Sequence, residues 1–406
     1  MILHTVESGD TVFKIARKYA VSPMKIIENN GLTDPDRLSV GQQLLILTPT
    51  KTYTVRGGDT LAKIAHRFGV GKNELYRNNP QLGGADTLYA GQLLAIHYDA
   101  PIGGMAAVNG YVYPGCDPDR FFAVLPYLTY VTFSGGRTDG DGLSPLADFT
   151  HLRAAAKAAG KPALLRITGI GEDRSFAADP SRRAALIEKI AAFAKEKEYD
   201  GITLAAYRMA KESPDAYDAF LLEAKKCLLG CDLLLFTEAD ANEKLSGSDL
   251  SDGVVLLYDK CTQRPVPSFE DGERATFASY ADTFESSKAF LDISAFGYDE
   301  YSPIEQEEIL KIAYKYKAEI KTDTDTLLSS FSYRHFGGGR REDRIIRFEP
   351  LSAIREKLSL VSELCYNGVS IDVGRVPTSV LMLLHATFSA VDYVFGYVGG
   401  KGAEEI

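Results

Sequence analysis

The chain has 406 residues, enough for a large core plus smaller modules, so we expect two or three domains. Its composition is 45% hydrophobic and 25% charged, and no apolar run approaches the roughly 20 residues that span a bilayer. The formal net charge of -10 argues against nucleic acid as the main partner, because nucleic-acid binders present a basic face. A membrane span and nucleic-acid binding are therefore both excluded.

The cysteines and histidines show no pattern of a disulfide framework or a metal centre. The odd number of five cysteines lies outside the N-terminal repeats described below, and Cys227 and Cys231 fit neither a CxxC redox pair nor a zinc knuckle. The histidines show no HxH or HxxE spacing. We therefore expect buried free thiols, no metal and no cofactor.

The first hundred residues contain an internal repeat. Residues 4–16 recur as residues 53–65, and each copy predicts a strand, two helices and a return strand. A Gly-Asp-Thr sequence follows each first strand, and its Asp or Thr can cap the first helix. The second helices are predicted at Pro23–Asn29 and Lys72–Asn78, and the return strands at Gly41–Ile46 and Gly91–Ile96.

The VxxGDTLxxIA-type opening, the Asn pair and the GQxLxI-type ending of each copy resemble the LysM family. That family binds N-acetylglucosamine-containing glycans such as peptidoglycan and chitin. The resemblance implies two βααβ modules, at residues 1–48 and 51–98, each holding glycan between two loops. The implied glycan-binding residues are Gly9, Asp10, Thr11, Val12, Asn30, Gly31 and Leu32 in module 1, and Gly58, Asp59, Thr60, Leu61, Asn79, Pro80, Gln81 and Leu82 in module 2.

From Gly103 onward, apolar β-rich runs alternate with amphipathic helices, which is typical of parallel strands with crossover helices. Eight strands in this length predict a (β/α)8 barrel. A doubly wound sheet is the alternative, although no glycine-rich phosphate loop follows the first strand. The candidate strands are Ala106–Tyr113, Tyr127–Phe133, Pro162–Thr168, Gly201–Ala206, Leu233–Thr237, Gly253–Tyr258, Ala289–Ser294 and Gly368–Val373.

The order of local motifs resembles successive strands of glycoside hydrolase family 18, and most closely its bacterial spore-germination subgroup, which places LysM repeats before the barrel. The motifs are Tyr127–Phe133, Asp139–Leu143, Tyr199–Gly201, Leu257–Asp259 and Phe296–Asp299. This resemblance implies an α/β chain with a TIM barrel over residues 105–406 and a small α+β insertion after strand 7, at about 300–350. Within and after the insertion we predict a helix at Ser302–Tyr316, strands at Ile320–Arg334 and Arg344–Phe348, and a returning helix at Pro350–Leu364.

The fourth strand departs from the family pattern at the positions that carry its chemistry. In this family the strand ends in a DGxxxDxE-type motif, whose Glu protonates the glycosidic oxygen and whose last Asp orients the substrate acetamido group. Aligned on Asp200-Gly201, these two positions are Tyr207 and Ala205. A tyrosine with an ordinary pKa of about 10 is a poor proton donor at neutral pH, and an alanine cannot orient an acetamide.

The floor of the predicted site also departs from the family. The chain contains no Trp, and Asp372 stands about where family members place a sugar-stacking Trp on the eighth strand. Three carboxylates remain as fallback catalytic candidates, namely Glu238, Asp259 and Asp372. The residues predicted at the barrel mouth are Asp200, Tyr207, Tyr258, Asp259, Tyr298, Asp299 and Asp372.

These patterns favour a protein that binds peptidoglycan or another N-acetylglucosamine-containing glycan through its LysM modules and carries a catalytically inactive chitinase-like barrel. One alternative is an active glycoside hydrolase of altered specificity that uses other carboxylates. Another is an inhibitor or spore-coat structural protein with a closed mouth. The N-terminus has no basic segment followed by an apolar one, so we expect no signal peptide, synthesis in the cytoplasm and deposition on a spore or cell-wall layer.

Overall fold

The computed structural model describes residues 1–241, 250–259, 261, 263, 265–282, 285–293, 296–299, 302–337 and 340–391. Ser294, the predicted end of the seventh strand, and the last 15 positions of the predicted barrel domain, 392–406, lie outside these residues. Two small modules come first in the chain, and an eight-stranded barrel with an insertion follows.

Both N-terminal repeats form the predicted βααβ unit. Thr11 and Thr60 cap the first helices, and each hydroxyl oxygen accepts the N–H of the third following residue at 3.2 Å. In each module the two strands pair antiparallel. Module 1 contains Ile2–Thr5, Val12–Tyr19, Pro23–Asn30 and Gln43–Ile46, and module 2 contains Lys51–Thr54, Leu61–Phe68, Lys72–Asn78 and Leu93–His97.

The barrel has eight parallel strands and is closed, because its first strand pairs with both the second and the eighth. All eight predicted strands are present, and closure excludes the doubly wound alternative. Its strands are Met105–Val112, Tyr130–Thr138, Ala163–Thr168, Gly201–Leu204, Leu234–Asp240, Gly253–Leu257, Ala289–Ile293 and Gly368–Asp372. Two short strands, Leu143–Pro145 and Ser389–Ala390, extend this sheet.

Helices surround the barrel and bury apolar faces against the outer side of the strands. Among the described residues, none of the helices is both long enough and apolar enough to cross a membrane. The helices of the barrel are Pro118–Val124, Thr150–Ala158, Arg174–Ala178, Pro180–Glu196, Tyr207–Glu212, Pro214–Leu229, Glu270–Arg274 (a π-helix), Ala275–Ala281, Leu351–Glu363 and Thr378–Thr387.

The insertion after the seventh strand is a five-stranded antiparallel sheet with one helix. Two of its predicted elements were wrong in detail. The predicted helix from Ser302 begins only at Gln306, because the preceding residues pair as a strand. The predicted strand Ile320–Arg334 is broken by a turn in which the Asp323 carboxylate accepts two backbone N–H groups. The observed elements are Phe296–Tyr298, Pro303–Glu305, Gln306–Tyr316, Lys321–Thr322, Ser329–Gly337 and Arg340–Phe348.

Module 1 packs directly on the insertion and on the helix that follows it. The Gln43 side chain exchanges two hydrogen bonds with Ser352, at 3.0 and 2.8 Å. The backbone N–H of Ile320 donates to Val40 O at 2.9 Å. At Gly41 an added Cβ would lie 1.9 Å from Ile320 O, so only glycine fits this contact. Module 1 is therefore part of one packed unit with the barrel domain.

Module 2 packs on the barrel through its second helix. Asn78 Nδ2 donates to Ile96 O at 2.8 Å, which leaves its Oδ1 to accept from His385 Nε2 at 2.7 Å. His385 Nδ1 has no hydrogen-bond partner among the described residues. Burial, aided by the positive charge of Arg77, lowers the pKa of His385 to about 3. The interface thus holds a neutral histidine.

The five cysteines are free thiols. Of these, Cys261 is buried, while Cys365 is exposed and the other three are half-buried. The expectation that all five would be buried was therefore wrong.

Replacing Gly41 with Ala should loosen the docking of module 1. Gly91 is the equivalent position in module 2, with φ of +88° against +85° at Gly41, and an added Cβ there meets nothing within 4 Å. Both G41A and G91A suffer the same backbone strain, but only G41A forces two backbones apart. We expect G41A to lower the free energy of unfolding by about 1–3 kcal/mol more than G91A in urea denaturation. Equal losses would show that the contact contributes nothing.

The protein should lose stability as the pH falls below about 6.5, the pKa of an unfolded histidine, because the folded state binds a proton at His385 only near pH 3. Between pH 7 and pH 5 this group alone should cost about 1–2 kcal/mol. Urea unfolding at both pH values should show a weaker pH dependence for H385Q than for the wild type. The control H66Q, at an exposed histidine, should keep the wild-type dependence.

Candidate glycan-binding loops and barrel mouth

The first predicted glycan-binding loop of each module is held in shape by its aspartate. Asp10 and Asp59 each accept the backbone N–H of the residue three positions earlier, at 2.9 and 2.8 Å. Asp10 also binds His4 Nε2 at 2.9 Å, and Asp59 accepts the Tyr53 hydroxyl at 2.7 Å. The backbone hydrogen bonds are the largest cause of the lowered pKa of both carboxyl groups. Asp10 and Asp59 therefore hold the loops in shape, and their carboxylates already have hydrogen-bond partners within the protein.

The second loop begins with an asparagine that joins the helix to the return strand. Asn30 Nδ2 donates to Ile26 O and Leu45 O, both at 2.8 Å, and its Oδ1 accepts the Leu45 N–H at 2.7 Å. Asn79 makes the same three bonds in module 2. Asn30 and Asn79 are therefore required by the fold whether or not glycan binds.

Burial separates the predicted glycan-binding residues into two groups. The side chains of Val12, Leu61, Asn79 and Leu82 are buried, so only their backbone groups can face a ligand. Five of the residues are exposed, namely Gly9, Thr11, Gly31, Gly58 and Thr60. The remaining six are half-buried, namely Asp10, Asn30, Leu32, Asp59, Pro80 and Gln81.

Phe13 is a further candidate that the sequence reading missed. Its ring is 70% exposed and directly follows the first loop of module 1, an unusual exposure for a large apolar side chain. Module 2 has Ala62 at the equivalent position. Comparing the two copies position by position would have found it. An exposed aromatic ring beside a glycan loop offers a face on which a sugar can pack.

The fourth barrel strand ends before the predicted acid position. The strand stops at Leu204, and a short helix begins at Tyr207, whose side chain is 47% exposed. Strand alternation places Ala205 on the inward face, where its methyl group is buried. Neither position supplies a proton donor suited to the family reaction.

A buried ion pair occupies the mouth instead. Glu238, which lies within the last part of the fifth strand, accepts hydrogen bonds from Arg166 Nε at 2.5 Å and Nη2 at 2.8 Å. The Tyr111 hydroxyl donates to the same carboxylate at 2.9 Å, and Glu238 is 1% exposed. Burial alone lowers the pKa of Arg166, but the hydrogen bonds and charge of Glu238 outweigh it and raise that pKa overall. Both oxygens of the buried Glu238 carboxylate are thus engaged by Arg166 or Tyr111, which leaves the group poorly placed to serve as a general acid.

Tyr111 of the first strand and Tyr113, which directly follows this strand, form an aromatic surface beside this pair. The rings of Tyr111 and Tyr113 stack with centroids 6.1 Å apart and an interplanar angle of 21°. The Arg166 guanidinium lies 5.8 and 6.0 Å from their centroids. Tyr111, Tyr113 and Arg166 were not predicted at the mouth, although the Tyr-Val-Tyr alternation at the end of the first strand places both rings on one face.

Asp372 lies on the eighth strand, as predicted, and is its last residue, and its side chain is 18% exposed. Burial raises the pKa of this carboxyl group, although Arg375 at 3.8 Å and the Gly374 N–H at 2.9 Å oppose the shift. The charges of Asp372 and of Asp292 on the seventh strand both act on the Tyr113 hydroxyl, whose pKa is raised mainly by burial. Asp292 is therefore a mouth residue that the sequence reading missed.

Two residues predicted at the mouth lie elsewhere. Asp200 precedes the fourth strand, at the opposite end of the barrel, and accepts the Ala163 N–H at 2.9 Å. Asp299 lies in a turn of the insertion, where it accepts the Ser302 N–H at 2.9 Å and pairs with Arg344 at 3.4 Å. Both carboxylates have structural partners.

The three remaining residues predicted at the mouth, Tyr258, Asp259 and Tyr298, also have local partners. The Tyr258 ring is buried against Phe277 of the outer helix layer, with centroids 5.6 Å apart, so it faces away from the mouth. Asp259 accepts the Cys261 N–H at 3.0 Å. Burial, and then the hydrogen bond to Asp259, raise the pKa of Tyr298. Within the described part of the chain, no three His, Cys, Asp or Glu side chains form a group that could hold a metal ion.

A profile of the LysM domain matches residues 4–47 and 53–97. The two N-terminal modules are LysM domains. The cortical fragment-lytic enzyme of Bacillus anthracis is 28% identical over 409 residues, which cover 90% of this chain and 93% of that protein.

Solved structures show the same fold. The spore cortex-lytic enzyme SleL of Bacillus megaterium QM B1551 superposes with a TM-score of 0.74 at 22% identity, covering 97% of this chain and 99% of that one. A chitinase from Chromobacterium violaceum ATCC 12472 superposes with a TM-score of 0.60 at 17% identity, covering 70% of this chain and 98% of that one. The predicted architecture, LysM repeats before a chitinase-like barrel, is confirmed.

Replacing Glu238 with Gln should strongly destabilise the barrel, because Arg166 would remain buried without its anion. Removing one partner of a buried pair costs about 3–5 kcal/mol. The control E172Q removes one partner of the exposed pair Arg137–Glu172 and should cost less than about 1 kcal/mol. Urea unfolding measures both. Similar small losses would show that the buried pair has no structural role.

Proposed function

We propose that this protein binds N-acetylglucosamine-containing glycan of the peptidoglycan type through its LysM domains, and that its chitinase-like barrel does not hydrolyse glycan. The LysM match and the relative named as a cortical fragment-lytic enzyme support binding to cell-wall glycan. We further propose that the protein is deposited on a spore or cell-wall layer.

The proposal for the barrel depends on which residues stand at the two catalytic positions of the family, and here these residues are Ala205 and Tyr207. Ala205 cannot orient an acetamido group, and Tyr207 begins a helix and offers a phenol where the family places a carboxylic acid. Glu238, a possible replacement, is held by Arg166 and Tyr111. Without a positioned general acid, the barrel lacks a contribution of typically 10²–10⁴-fold to the rate.

A second candidate function, hydrolysis by a different carboxylate pair, is favoured by Asp372. Its raised pKa is the property that a general acid needs, and Asp292 supplies a second carboxylate near Tyr113. Asp292 and Asp372 lie on the neighbouring seventh and eighth strands. A site built from them would not depend on the fourth strand.

The wild-type protein should sediment with insoluble peptidoglycan and should release no reducing ends from N-acetylglucosamine oligomers or cortical peptidoglycan fragments. F13A should weaken sedimentation, because it removes the exposed ring beside the first loop, whereas M24A, at an exposed apolar residue of the next helix, should not.

Three results would change this conclusion. If the wild type does not sediment, glycan binding is wrong. If it releases product and D372N does not, the protein is a hydrolase that uses Asp372. Release of product that survives both D372N and E238Q would contradict the present assignment of the mouth.

A further inference from the structure

A cavity of about 810 Å³ lies where module 1, the insertion and the barrel meet. One wall consists of the second glycan loop of module 1 and the residues after it, namely 30–34 and Arg37. The second wall is the insertion helix Gln306–Tyr316, and the third is the segment 374–379 that follows the eighth barrel strand. Three segments that are distant in sequence thus form one cleft.

Direct contacts fix the walls of this cleft. The Thr33 hydroxyl donates to Glu307 Oε1 at 3.2 Å, which joins module 1 to the insertion helix. Gly31 lies against Thr378 so closely that an added Cβ would be 2.9 Å from the threonine Cβ. The cleft is therefore already formed in the folded protein, and a ligand that enters it does not have to bring the walls together.

The chemistry of the cleft suits a sugar. The ring of Tyr314 is 42% exposed, and the Arg37 guanidinium lies 5.7 Å from its centroid. The charges nearby are largely paired, with Arg37 on Asp34 and Lys311 on Glu307, both at 2.9 Å. Paired charges can still form hydrogen bonds with a ligand but create little net electrostatic potential. The aromatic ring of Tyr314 adds an apolar face. A neutral, hydroxyl-rich and amide-bearing ligand matches this combination.

The cleft also connects two sites already described. At one end it includes Gly31 and Leu32 of the module 1 glycan loop. At the other it includes Arg375, which lies 3.8 Å from the Asp372 carboxylate at the barrel mouth. In module 2 the equivalent loop is less open, because Asn79 and Leu82 are buried.

We infer that this cleft is a glycan-binding site in which a sugar ring packs on Tyr314, so that one oligosaccharide extends from the second loop of module 1 towards the barrel mouth. The inference rests on the proposed function, since it assumes that module 1 binds an N-acetylglucosamine chain. We expect a short oligomer to occupy the module loops and a longer one to contact Tyr314 as well.

The test compares chitotriose and chitohexaose binding by isothermal titration calorimetry to the full-length wild type, Y314A, Y314F and Y89A. Tyr89 is an exposed tyrosine of module 2 outside the cleft and serves as the matched control. We expect Y314A to weaken chitohexaose binding about five- to tenfold and to leave chitotriose binding unchanged. Y314F keeps the ring and should bind like the wild type, as should Y89A.

Each other outcome overturns a defined statement. If Y314A binds chitohexaose as tightly as Y89A does, or loses affinity for both oligomers equally, the cleft is not an extended glycan site. If the wild type binds neither oligomer, the proposed function itself is wrong and the inference falls with it. Urea unfolding of Y314A should match the wild type, which separates a lost contact from a lost fold.

Discussion

A closed barrel has to fill its own interior, and this constraint governs what the mouth can contain. At the lower level Tyr130, Phe236 and Phe290 pack together, with ring centroids 5.2 to 5.9 Å apart. Nearer the mouth the interior side chains are polar, and Arg166 pairs there with Glu238. A buried charge is tolerated only with a partner, so the carboxylate that might have served chemistry instead completes the interior.

The sequence predicts the strands and modules well, because each is encoded locally. Apolar runs identify all eight barrel strands, and repeated motifs identify both LysM domains. The boundaries are weaker. The insertion strand Pro303–Glu305 forms because it pairs with Phe296–Tyr298. No local sequence pattern indicates this pairing.

The mouth was predictable only in part. Asp372 was found because it lies on a recognisable strand, and Glu238 because it follows the predicted fifth strand, Leu233–Thr237. Arg166 lies on the third strand and Glu238 on the fifth. Their ion pair forms only because the two side chains meet inside the barrel, and no local sequence pattern indicates this. Asp200 was misplaced because its dipeptide marks the start of a strand, while the mouth lies at the other end. Sequence identifies candidate acids, but their partners decide which of them remains available.

The packing of the LysM domains on the barrel changes how two sites in one chain can cooperate. Domains on a flexible linker gain avidity through a high effective concentration, which depends on the length of the linker. Here Gln43, Gly41 and Asn78 hold both domains against the barrel, so orientation replaces linker length as the controlling variable. If the proposed sites bind glycan, a strand that runs in the matching direction would meet every site at once, whereas a strand lying across that direction would be held by one domain and would not reach the mouth.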